Sequence, residues 1–186
     1  MARGRLLVAS PQLSDPNFDR SVVLVLEHGD DGTLGLVLNR PTATPVADVL
    51  APWAGAADQA PPAVIFEGGP VSPDVAVGLA GASAGGTAGD GDAWHPVVGD
   101  VGLVDLSAGP AGRAGAPLAV RVFAGYAGWG PGQLDGELAE GAWFVVDAQA
   151  SDLVAGEPAD LWRAVLRRQP GALRILASYP ADPAAN

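Results

Sequence analysis

The stretch SVVLVLEHGDDGTLGLVLN, Ser21–Asn39, decides the fold. SVVLVLE and LGLVLN are almost unbroken runs of Val and Leu. Each is too short for an independent helix, so both read as core strands. The six residues between them, HGDDGT, contain Asp-Gly and favour a hairpin. Glu27 is then expected opposite Leu34, and Ser21 opposite Arg40. That register gathers Arg20, Ser21, Asn39 and Arg40 at the open end. Glu27 and His28 stay at the turn end, about 20 Å away at about 3.3 Å per strand residue.

Towards the N-terminus, RLLVAS (5–10) reads as a first strand, and PQLSDPNFDR (11–20) as a loop punctuated by two prolines. Towards the C-terminus, a short helix is expected near Pro45–Leu50, with Thr44 as N-cap and Pro45 at its first position. AVIFEGGPV (63–71) and DVAVGLA (74–80) read as strands joined through Gly68-Gly69-Pro70. VGLVDL (101–106), LAVRVFAGYA (118–127) and AWFVVD (142–147) read as further strands. EPADLWRAVLRRQPG (157–171) reads as a helix. It has Pro158 at its start, an apolar stripe of Leu161, Trp162, Val165 and Leu166, and charges that complement its dipole. No repeat and no long linker divides the chain, so residues 1–186 read as one domain.

The 186 residues are 48% hydrophobic, which is globular, and the net charge is −11. That sign repels a phosphate backbone. All ten cationic side chains are Arg, and there is no Cys. Schiff-base and Walker lysines, Ser–Lys dyads, thiolate nucleophiles, disulfides and cysteine metal sites are thereby excluded. The apolar run in MARGRLLVAS is shorter than a secretory signal requires, and no run approaches a membrane span. A soluble cytoplasmic protein is expected.

Gly81–Gly85 matches G-x-S-x-G, but the helix that a nucleophile elbow needs does not follow it. EHGDDG (27–32) has the spacing of neither H-E-x-x-H nor an EF-hand, and reads as an acidic turn without metal. GYAGWGPGQLDGELAEGAWF (125–144) admits two readings, a ligand cradle at a helix start or a tight corner. The helix is expected after Gly130-Pro131, with Leu134 and Leu138 one turn apart and Gly141 as its stop. Asp135 and Glu137 in its first turns would repel a phosphate. The corner is the preferred reading, its glycines allowing sharp turning and close packing.

DPNFDRSVVLVLEH, GTLGLVLNRPT, FEGGPV and AGYAGWGPGQLDGEL, in that order and spacing, resemble the signature blocks of the AlgH/YqgE family. The ending LWRAVLRRQPG…LASYPADP is also similar to actinobacterial-type members. The likeness runs from Leu6 to about Pro183. A glycine-rich insert around Gly85–Asp92, and Asp135 where Glu is more usual, depart from the pattern. The resemblance implies an α+β single domain with a bent, barrel-like mixed β-sheet and flanking helices, in the cytoplasm of a bacterium. It implies no particular reaction. Some members carry the label of transcriptional regulator, which does not entail DNA contact.

Carried over residue by residue, the family's polar blocks fall on Asp15, Arg20, Ser21, Glu27, His28, Asn39, Arg40, Gln133 and Glu137. Two readings of them stand. In one, Arg20, Arg40, Asp15 and Glu137 pair with one another and with loop carbonyls. In the other, Arg20, Asn39 and Arg40 line a cleft for an anionic small molecule or a partner's carboxylate. No catalytic residue, cofactor or metal is assigned. A non-catalytic binding or regulatory protein with an unknown small ligand or protein partner is expected. The alternatives are an enzyme acting on a small anionic substrate, through Glu27 with His28 or the open-end groups, and a DNA binder using Arg163, Arg167, Arg168 and Arg174.

Overall fold

In the computed structural model, which describes residues 3–81, 94–110 and 119–180, the hairpin is present and tighter than expected. Strand β2 spans Val22–Gly29 and β3 spans Gly32–Val37, with only Asp30 and Asp31 between them. Gly32 has a φ of +127°. A glycine beside a two-residue turn lets the turn follow the strand twist, so pairing extends through Thr33 opposite His28. Glu27 lies opposite Leu34 as expected. A bulge between Val25 and Glu27 then shifts the register by one residue. Val23 therefore faces Val37, which brings Ser21 level with Asn39 rather than with Arg40.

Strand β1 (Arg5–Ala9) pairs antiparallel with β2 on one side and with β10 (Trp143–Asp147) on the other. Beyond β3 the path continues through β9 (Ala119–Trp129), β6 (Val71–Gly81), β8 (Val101–Val104) and β7 (Trp94–Val98). Strand β5 (Val64–Glu67) lies parallel to β9, and β4 (Pro41–Pro45) pairs antiparallel with β5, so the sheet is mixed. The sheet curls into a half-barrel. A Cβ at Gly4, just before β1, would lie 2.8 Å from the Val97 carbonyl of β7 at the far end of the path.

Among the described residues six short helices accompany the sheet: α1 (Val46–Val49), α2 (Ala54–Ala57), α3 (Gln133–Ala139), α4 (Ala150–Leu153), α5 (Leu161–Arg167) and α6 (Ala172–Leu176). Thr44 does not cap α1. It belongs to β4, and Pro45, still extended, holds the cap position. The expected long C-terminal helix opens with a 3-10 turn at Pro158–Asp160 before α5. Its apolar stripe is buried as expected, and Trp162 donates to the Ala9 carbonyl at 2.8 Å.

One core cluster lies between α5 and one sheet face, joining Leu6, Val8, Leu24, Leu36, Phe66 and Phe123 to Trp162 and Leu166. A second, on the other face, joins Leu7, Val23, Val25 and Val37 to Trp129, Trp143 and Leu134 of α3. A third sits under α1 and α2 around Trp53.

The opening of GYAGWG is strand, not corner: β9 runs unbroken to Trp129, whose neighbour in β3 is Thr33. Gly125 (φ +71°) has another use. A Cβ at Gly68 would lie 2.3 Å from the Gly125 carbonyl oxygen, and one at Gly125 would lie 2.6 Å from the Gly69 carbonyl oxygen. Glycine lets the two backbones cross where β5 leaves β9. The corner itself is at Gly130–Gly132, and Gly141 (φ +76°) follows α3 as expected. Of the G-x-S-x-G match only Gly81 lies within the described residues.

Candidate functional site

The polar residues expected from the sequence fall into three groups, one around the Asp15–Arg20 loop, one on α3 and one at the hairpin turn, and the arginines do not meet Glu137. Arg20 has a φ of +52°, rare for a side chain of its size. Its conformation is fixed from both ends. The Asn39 Nδ2 donates to the Arg20 carbonyl at 2.9 Å, and the Asn39 Oδ1 accepts from the Val22 N–H at 2.9 Å. Asn39 thus supplies a donor and an acceptor at the open end of the hairpin. The Arg20 guanidinium stacks over Trp162 at 4.9 Å and donates to the carbonyls of Tyr179 and Pro180. Arg40 donates to the Asp19 carbonyl. Ser21 is fully buried, and its hydroxyl has no partner among the described residues.

Asp15 is a turn residue. Its carboxylate accepts from the Asn17 N–H at 2.9 Å, and its carbonyl from the N–H groups of Phe18 and Asp19. Of the expected network, the loop-carbonyl bonds form, while the carboxylates of Asp15 and Glu137 bond elsewhere. The physical reason is placement. Glu137 sits on α3 against the opposite sheet face from Trp162, so the arginine that stacks on Trp162 is turned away from it.

Glu137 is enclosed by donors. Its Oε2 accepts from Trp143 Nε1 at 2.7 Å and from Trp129 Nε1 at 2.9 Å, and its Oε1 accepts from Gln133 Nε2 at 2.9 Å. Gln133 in turn accepts from the Gly130 N–H at 3.1 Å. The indoles meet edge to face at 5.8 Å, with Phe18 stacked on Trp129 and edge-on to Trp143. Phe18 therefore connects the first two groups: the Asp15–Arg20 loop is seated on the aromatic cluster and tied by Asn39, Arg20 and Arg40.

Glu27 and His28 stand at the far end of the hairpin. As successive strand residues they leave opposite faces of the sheet, and His28 Nδ1 is 2.8 Å from Thr33 Oγ1. Among the described residues no three His, Asp or Glu side chains group closely enough to hold a metal.

Two buried charges escaped the sequence reading. Arg121 on β9 is 1% exposed, and burial holds its guanidinium below the ordinary value, to about 10. It donates to the carbonyls of Ala155 (2.8 Å), Pro61 (3.0 Å) and Leu153 (3.4 Å) and stacks on Phe66 at 4.4 Å. The Leu153 and Ala155 carbonyls follow the end of α4, where a cation suits the helix dipole. A lone Arg inside the apolar run LAVRVF was its only signal. Asp152 accepts both guanidinium nitrogens of Arg168, one at 2.6 Å, so Arg168 is drawn off the end of α5. Asp152 is also the N3 partner of Gln149 in the capping box of α4, accepting from the Gln149 N–H at 2.8 Å, but no local pattern marks its pairing with Arg168.

The chain is similar over nearly its full length to several proteins. The sequence profile described as AlgH-like matches residues 6–174. A UPF0301 protein of Streptomyces avermitilis is 54% identical over 185 residues, covering 98% of this chain and 94% of that one. A UPF0301 protein of Mycobacterium tuberculosis is 46% identical over 179 residues, covering 96% and 88%. A Corynebacterium diphtheriae protein of known crystal structure superposes with a TM-score of 0.87 at 34% identity, covering 96% and 93%. The solution structure of the AlgH protein from Pseudomonas aeruginosa superposes with a TM-score of 0.67 at 28% identity, covering 96% and 94%. On fold, profile and sequence, the chain belongs to the AlgH-like family.

Proposed function

We propose that this protein is a non-catalytic cytoplasmic binding protein, with any regulatory role exerted through ligand or protein contacts rather than chemistry. The observation that carries this reading is the state of Glu137. A carboxylate that works as an acid or base needs an oxygen free to face its substrate. Three of the roughly four acceptor positions of the Glu137 carboxylate are taken by donors of the fold, two indoles and one amide. The arginines support the same reading, because Arg20 and Arg40 donate to backbone carbonyls. Glu27 and His28, on opposite faces, do not form an acid–base pair.

Direct nucleic-acid binding is disfavoured by the net charge of −11 and by the engagement of Arg168 with Asp152. No described helix is long and apolar enough to cross a membrane. The test is broad substrate profiling of the wild type beside Glu27→Gln and His28→Ala. No turnover above a heat-inactivated control is expected. Turnover that falls in either variant would overturn the reading.

A further inference from the structure

A cavity of about 270 Å³ opens where the chain leaves β1, where α3 passes into β10 and where α6 ends. It is smaller than the roughly 300–1,000 Å³ of drug-sized sites. Its lining includes Ser10, Gln12, Glu140, Phe144, Leu176 and Tyr179.

Three independent features point to one ligand chemistry. The first is Ser10. The residue is 4% exposed and its hydroxyl has no partner among the described residues. Its backbone is satisfied, donating to the Ala142 carbonyl and accepting from the Leu13 N–H. The hydroxyl is thus the one idle polar group of the residue, and idle buried hydroxyls are rare because they cost free energy. Strand alternation puts Ser10 on the side of Val8, whose β10 neighbour is Phe144 of the same lining.

The second feature is Glu140. It is the C-cap of α3, and its carboxylate has no hydrogen-bond or ion-pair partner among the described residues. Glu140 is exposed, and a negative group at the negative end of a helix is unfavourably placed, so a cation beside it is favoured. The net charge of −11 adds long-range attraction of the same sign.

The third is the fixed wall. Arg20 donates to the carbonyls of Tyr179 and Pro180 and so holds the Tyr179 segment in place. Phe144, Leu176 and Tyr179 offer apolar and aromatic surface, which suits an organic stem and a cation near a ring face.

We propose that this cavity binds a small free organic amine, its ammonium at Glu140, its stem against Phe144 and Leu176, and a hydrogen-bonding group at Ser10. Arg20 is a positioning residue that keeps the Tyr179 wall closed without touching the ligand. The proposal rests on the binding reading above and names the site and ligand class.

The test is an NMR titration of the full chain, following the Gly141 amide and the Leu176 methyls. Tyramine, phenethylamine and 4-hydroxyphenylacetate are the probes; they keep one ring and vary the charge and the hydroxyl. Saturable shifts are expected with tyramine, with 4-hydroxyphenylacetate weaker by about tenfold or more. Glu140→Gln should weaken tyramine by about tenfold. Ser10→Ala should erase the preference for tyramine over phenethylamine while leaving the thermal midpoint unchanged or raised.

Equal binding of the acid, or no saturable shift up to about 10 mM amine, overturns the proposal, and neither result needs a variant to fold. An acetyl-Gly-Lys-Gly-amide peptide that binds more tightly than tyramine also overturns it, by moving the source to a partner's side chain. The same spectra, followed for a day, report any consumption of tyramine. Consumption would refute the non-catalytic reading and leave the cavity assignment standing.

Discussion

Glu137 accepts a hydrogen bond from the Trp143 indole at 2.7 Å across the junction of α3 and β10, and the same oxygen serves Trp129 from the end of β9. One carboxylate therefore ties a helix to two strands. Glu137→Ala leaves two indole N–H groups of buried tryptophans without their acceptor. A loss of about 2–4 kcal/mol is expected from orphaned donors bonded to a charged group. Glu137→Gln keeps the shape and a single acceptor oxygen, so a smaller loss is expected. Urea denaturation followed by tryptophan fluorescence measures both. Equal stability of wild type and Glu137→Ala would contradict the assignment.

Asn39 holds the start of β2 and the carbonyl of Arg20 with one amide group. Asn39→Asp keeps the acceptor and loses the donor, placing a carboxylate oxygen against the Arg20 carbonyl. A cost of about 2 kcal/mol is expected, with Asn39→Leu losing both bonds and costing at least as much. Faster hydrogen exchange at the Val22 amide should accompany Asn39→Leu, because that amide then has no acceptor.

Two glycines of one region should answer unequally to alanine. At Gly68 the added Cβ meets a carbonyl oxygen at 2.3 Å, and backbone there cannot move aside cheaply. A loss of about 3 kcal/mol or more is expected from such overpacking. At Gly128 the nearest atoms lie at 3.6, 3.9 and 4.0 Å, all side chain and at ordinary contact distance. Gly128→Ala should change stability by about 0.5 kcal/mol or less. Thermal melts of the pair decide it.

Arg121 makes stability depend on pH in the alkaline range. Its folded-state value, about 10, is below that of the unfolded chain. From about pH 10 upward the unfolded chain binds a proton that the folded chain has released, so the Arg121 contribution to stability rises with pH there and is flat below. Arg121→Met should remove that rise. Urea midpoints of both proteins at pH 9 and pH 11, about one unit either side of the titration, provide the comparison. An identical pH response would contradict the buried charge.

The β2–β3 hairpin was legible because unbroken Val and Leu runs of strand length have few other readings. Its bulge was not, since Leu26 is buried in either register and the apolar pattern alone does not choose. β4 was invisible for a different reason. Pro41–Pro45 has a proline at each end, no alternation and no buried residue, and its pairing comes from β5. The polar residues were found, but their partners were not. Glu137 meets indoles six and eight positions away, one beyond a helix end and one before a helix start, and no local periodicity links them. The Asp15–Arg20 loop likewise owes its place to Phe18, whose role depends on tryptophans more than a hundred residues away.

We infer that the Arg20–Arg40 end is a pinned backbone junction and not an anion site. The most direct measurement is a titration of the full chain with inorganic phosphate at low salt, following the Arg20 and Arg40 side-chain Nε–H signals by NMR. Electrostatic attraction is strongest under those conditions. Both signals are expected to stay unmoved up to about 20 mM phosphate, a range in which even millimolar binding would register. Saturable shifts of either signal would contradict that inference.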